Sequence, residues 1–101
     1  MKKVILGTII LLAVACSPSK QSGGERDGSS AEKAILIRAN SEREGVSEEY
    51  AWLKKQYPGY TRKKQALAPM NGKTYDVLTI TTADGIEKAV YFDITSFFGK
   101  L

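Results

Sequence analysis

Two dipeptides, Asn71-Gly72 and Asp84-Gly85, constrain this chain more than any other feature of its sequence. Asparagine, aspartate and glycine accept positive φ, so each pair predicts a two-residue type I′ hairpin turn. Around them lie three runs, Tyr60–Ala68, Lys73–Thr82 and Ile86–Ile94, the central one rich in Thr, Val, Ile and Tyr. Such runs bounded by turn residues predict strands, here a three-stranded antiparallel meander. The tail Thr95–Gly99 predicts a short helical turn that tucks Phe97 and Phe98 under the sheet.

Helical signals precede the strands. Ser29-Ser30-Ala31-Glu32 has capping-box spacing, and Ala31, Ala34, Ile35 and the charged run to Glu44 suit a first helix closed by Gly45. The rival reading makes Ala34-Ile35-Leu36-Ile37 a short strand. A second helix is expected from Ser47, with Glu48 and Glu49 in its first turn and Lys54-Lys55 near its end. Tyr50, Leu53 and Tyr57 fall on one side at helical spacing, and Pro58-Gly59 stops it. The expected fold class is therefore α+β, two helices followed by a three-stranded antiparallel β-meander (α-α-β-β-β).

Two-residue loops at both turns set a register that pairs Ala66 with Val77 and Asp76 with Asp93. One face then carries Ala66, Ala68, Tyr75, Val77, Thr79, Val90, Phe92 and Ile94, and its two alanines leave room for a helix. The other carries Leu67, Leu78, Ile80 and Tyr91 as a contiguous apolar strip, read either as a partner surface, because a solvated sheet face is normally polar, or as a face covered by the tail phenylalanines or the first helix. Asp76 facing Asp93 sets like charges opposite each other, at a cost of some tenths of a kcal/mol. Lys54, Lys55, Arg62, Lys63 and Lys64 form a basic cluster, read either as a contact for anionic surfaces or as protection of an edge strand.

The N-terminus has another character. Met1-Lys2-Lys3 is basic, and Val4–Val14 is an uncharged run of 11 residues, too short to span a bilayer, which takes about 20. Ala15 supplies a small residue at a cut, so residues 1–15 read as a cleaved signal peptide. Leu12-Ala13-Val14-Ala15-Cys16 resembles the lipobox of bacterial lipoproteins, with Ala13 where leucine is commonest in that family. The resemblance implies a diacylglycerol on the Cys16 sulfur, cleavage before Cys16 and acylation of the new amine. An ordinary secretory signal cut nearby is the rival reading. Ser17 after the cysteine, where aspartate resembles an inner-membrane retention signal, implies an outer-membrane anchor facing the periplasm. Residues 16–28 comprise the lipidated cysteine and a polar tether without a large apolar side chain. Residues 29–101 form one small domain.

The expected element order behind a lipobox is similar to two groups of periplasmic modules. Gly45-Val46-Ser47 resembles a helix start of the BLIP-like set, which includes a small lipoprotein of the outer-membrane β-barrel assembly machine. Tyr57-Pro58-Gly59 with strands around Thr82-Ala83-Asp84-Gly85 resembles the PepSY-type propeptide domain. These likenesses imply fold and not function. The sequence has no histidine and a single cysteine, at the lipid position, and no phosphate-binding or metal-ligand motif. The expectation is a non-enzymatic protein with no cofactor. Its net charge of +4 falls to about +2 without Lys2 and Lys3, and no basic stripe interleaved with aromatics predicts nucleic-acid binding. Expected partners are the membrane, through the lipid on Cys16, and a periplasmic or outer-membrane protein. The alternative is a PepSY-like ligand-binding or inhibitory module acting on a periplasmic enzyme.

Overall fold

The computed structural model describes residues 26–101. The expected signal peptide, Cys16 and most of the tether lie outside the described residues. In chain order the elements are β1 (Ile35–Leu36), α1 (Glu42–Gln56), β2 (Thr61–Met70), β3 (Lys73–Thr81) and β4 (Glu87–Asp93). The strands form one mixed sheet in the order β1-β4-β3-β2, with β1 parallel to β4 and the other pairs antiparallel.

The α-α-β-β-β expectation is thus corrected to β-α-β-β-β: one helix and four strands. The stretch read as a first helix holds turns and β1. Burial alternates there, with Ile35 and Ile37 inside and Leu36 40% exposed, which is the period-2 signature of a strand. The helix starts at Glu42, earlier than expected. Its N-cap is Ser41, whose Oγ accepts from the Glu44 backbone N–H at 3.3 Å while Glu44 Oε1 accepts from the Asn40 N–H at 2.8 Å. Gly45 does not end a helix; it lies within one. A Cβ there would come within 2.3 Å of the Phe97 ring, so the missing side chain lets Phe97 lie against the helix backbone.

The first hairpin turn is as expected, with φ of +52° at Asn71 and +77° at Gly72. The second is longer by one residue. Thr82 N–H donates to the Ile86 carbonyl at 2.8 Å, Gly85 N–H donates to the Thr82 carbonyl at 2.9 Å, and Gly85 takes φ +89°. Ala83-Asp84-Gly85 is therefore a three-residue loop with glycine in the left-handed position. The extra residue slips β4 by one place, so Asp76 pairs with Phe92 and Asp93 with Tyr75. The expected Asp76–Asp93 pair does not form, because the two now lie on opposite faces.

The slip exchanges the faces of β2 and β3 relative to β4. Leu78, Ile80, Val90 and Phe92 share the face packed under α1, each no more than 2% exposed. With Ile35, Ile37, Leu53, Ile94 and Phe97 they make the core. Trp52 of the helix meets Phe92 edge to face at 5.6 Å. Val77 and Tyr91 pair with each other on the opposite face and are half-buried. A bulge at Lys63 shifts the β2 register, and Arg62 donates to the Tyr50 hydroxyl of α1. The last residues of the expected tether are seated on the domain. The Gly28 carbonyl accepts from Tyr91 N–H at 2.7 Å, and Arg26 reaches the Ala34 carbonyl at 3.1 Å.

Candidate functional site

The first turns of α1 do not lie flat on the sheet. Between them, β2 and the segment after β4 opens a cleft of about 340 Å³. From α1, Glu42, Val46 and Glu49 project into it at the i, i+4, i+7 spacing of one helix face. Gln65 and Leu67 come from β2, Asp76 from β3, and Ile94, Phe97 and Phe98 from the end of β4 and its tail. The tail is held by Glu42, whose Oε2 accepts from Gly99 N–H at 2.7 Å while its own N–H donates to the Lys100 carbonyl at 2.7 Å. Phe97 is buried at 1% exposure, and Phe98, expected to be tucked under the sheet beside it, is 47% exposed. Val46 at 38% and Leu67 at 53% complete an apolar rim.

The wall behind this rim is acidic. Glu49 is 1% exposed and Asp76 2%. Asp76 is satisfied, because the Gln65 amide nitrogen donates to both carboxylate oxygens, at 2.9 and 3.0 Å. Glu49 is not: no donor group reaches either of its oxygens. Burial without a donor disfavours its ionised form, and the neighbouring Asp76 carboxylate adds to this, so its pKa is pushed up to about 9. At neutral pH Glu49 is a carboxylic acid, and Asp76 is the polar group beside it that can accept its proton. Every ionisable residue lining the cleft is an acid: Glu42, Glu49 and Asp76. The sequence as a whole is basic, at +4.

The strip expected from Leu67, Leu78, Ile80 and Tyr91 does not exist as one surface. Leu67 lines the cleft, Leu78 and Ile80 are 0% exposed beneath α1, and Tyr91 is on the other face. The basic cluster is dispersed as well. Lys54 and Lys55 lie in the last turn of α1, Arg62 engages Tyr50, and Lys63 pairs with Glu87 at 2.9 Å on the surface. Asp93 accepts from the Thr95 hydroxyl at 2.6 Å and the Thr95 N–H at 3.0 Å, with Lys73 at 3.8 Å. Val46, Glu49 and Phe98 went unread as site residues. The signal for Glu49 was present: with the helix begun at Ser41, Gly45, Glu49 and Leu53 fall on one buried stripe, and a glutamate there is an anomaly.

Among the described residues no helix is long and apolar enough to cross a membrane, and no group of three or more His, Cys, Asp or Glu is placed to hold a metal ion. Comparison with known proteins finds no matching family model, no matching curated protein and no matching solved structure.

Proposed function

We propose that this chain is a lipid-anchored, non-enzymatic binding module of the bacterial cell envelope, and that its α1–β2 cleft receives part of an envelope protein. The observation that carries the reading is the cleft itself. Val46, Leu67 and Phe98 are three large apolar side chains left open to solvent around one concavity, whereas exposed apolar groups scattered singly need no explanation. The lipobox resemblance at Cys16 supports the envelope placement, and Ser17 favours the outer membrane. Two acyl chains are enough for stable anchoring, and the mature domain then samples only partners at that surface.

A second reading, a module that takes a small ligand or inhibits a periplasmic enzyme, draws on the cleft volume, which falls within the range of small-molecule sites. Site-specific photocross-linking in cells tests the first against the second. A cross-linker at Leu67 or Phe98 is expected to give one protein adduct that disappears with Val46→Asp, and a cross-linker at Lys73 none. No adduct at either cleft position refutes protein docking. Palmitate labelling is expected for the parent protein and lost in Cys16→Ser; a labelled Cys16→Ser protein refutes the anchor.

A further inference from the structure

A buried acid that no donor reaches is costly unless something visits it. No donor reaches either Glu49 oxygen, and the polar group beside the acid is another carboxyl, that of Asp76. The neighbouring carboxylate shows what the place accepts. Gln65 Nε2 bridges both Asp76 oxygens, so a nitrogen with several hydrogens already sits where two acceptors converge. That nitrogen is neutral and belongs to an exposed side chain on the sheet's edge strand, free to swing outward.

We propose that the acidic wall of the cleft is a site for a primary ammonium on an apolar stem, supplied by a lysine side chain of the protein partner. The inference rests on the docking reading above and adds the group recognised. The ammonium displaces the Gln65 amide from Asp76 and donates to Glu49 as well, with its methylenes against Val46, Leu67 and Phe98. Three N–H donors on one nitrogen match acceptors that one amide cannot all satisfy. Glu49 gives up its proton to solvent as the ammonium arrives, so the neutral acid becomes a carboxylate paired with a cation. The charge complementarity is one-sided: Glu42, Glu49 and Asp76 line the cleft, and no lysine or arginine does.

The test is isothermal titration of the full chain in nonionic detergent at pH 7, with pentylammonium as the lysine-side-chain probe and 1-pentanol as its neutral match. Runs in phosphate and in ACES buffer read proton release, because the two buffers differ in ionisation enthalpy. Pentylammonium is expected to bind at least about tenfold more tightly than pentanol, since hydrogen bonds to charged groups are stronger than those between neutral ones. About one proton should be released per ligand.

Glu49→Gln, nearly isosteric with the neutral acid, should abolish the buffer difference and weaken binding about tenfold. Gln65→Ala, which removes the amide that competes for Asp76, should tighten it; a purely structural role for Gln65 predicts no such gain. A peptide with one lysine between leucines should bind more tightly than pentylammonium. Equal affinity for pentylammonium and pentanol overturns the ammonium site while the cross-linking result stands or falls separately. Binding without proton release overturns the exchange at Glu49. A peptide no tighter than the free amine assigns the site to a small amine and overturns the lysine source.

Discussion

Glu49→Gln is the substitution with the most to say about stability. In the fold the Glu49 pKa rises from an ordinary 4.5 to about 9, mainly because burial disfavours the anion. An unfolded chain therefore loses this proton above pH 4.5 while the folded chain keeps it up to about 9. Across that interval the folded state holds one more proton, and stability falls by about 1.4 kcal/mol per pH unit. From pH 6 to pH 8 the loss is about 3 kcal/mol, a large share of the roughly 5–15 kcal/mol that holds a small domain together. The other groups with resolved shifts act outside this window. Asp27 and Glu87 are held below their normal values by Ser29 and by Lys63, and Tyr60 is pushed above its normal 10 by burial. The absence of histidine leaves no other side chain to confuse the reading. Glutamine mimics the protonated acid and cannot ionise, so its stability should stay flat from pH 6 to 8 and exceed that of the parent at pH 8. Urea titration at pH 6, 7 and 8, on protein without residues 1–15 and with Cys16→Ser, measures both slopes. A flat parent, or a mutant that slopes equally, refutes the view of Glu49 as a buried neutral acid.

The register makes a sharp prediction of its own: Ile80→Ala should cost about 2–5 kcal/mol, as deletions in a closed core do, while Val77→Ala on the other face costs clearly less. Ile80→Asp should unfold the domain and Tyr91→Asp should not; thermal melts that rank them the other way refute the three-residue loop. Gly45→Ala should destabilise by about 1–3 kcal/mol through overpacking against Phe97. Phe97→Leu in the same chain should recover part of that loss in a double-mutant cycle, and strict additivity in the melts refutes the contact.

The antiparallel β2–β3 pair and its turn were legible because Asn71-Gly72 carries its own geometry. The second turn was misread for a local reason. Asp84-Gly85 serves a two-residue loop and the last two places of a three-residue loop equally well, and only the Thr82–Ile86 pairing decides between them. One residue of ambiguity then put Leu78 and Ile80 on the wrong side, although Val90 and Phe92 were placed correctly. The helix start was misjudged because Ser29-x-x-Glu32 and Ser41-x-x-Glu44 carry the same capping signature, and the structure uses only the second. That choice depends on tertiary contact: Gly45 reads as a stop until Phe97 is seen lying on it. The acid pair follows the same logic. Glu49 looked like a first-turn dipole partner only because the helix was started too late, and its closeness to Asp76 requires α1 to cross β3, which no local pattern encodes.

The clasp between α1 and the tail also governs when this protein can exist as a folded object. Its N-terminal strand waits for its last strand, since Ile35 pairs with Phe92. Its helix waits for Phe97, which fills the space above Gly45, and for Gly99 and Lys100, which engage Glu42. Contacts this distant along the chain form late, because the intervening loop must close before they contribute anything. A chain emerging N-terminus first therefore cannot complete this core until Phe97 is available to it.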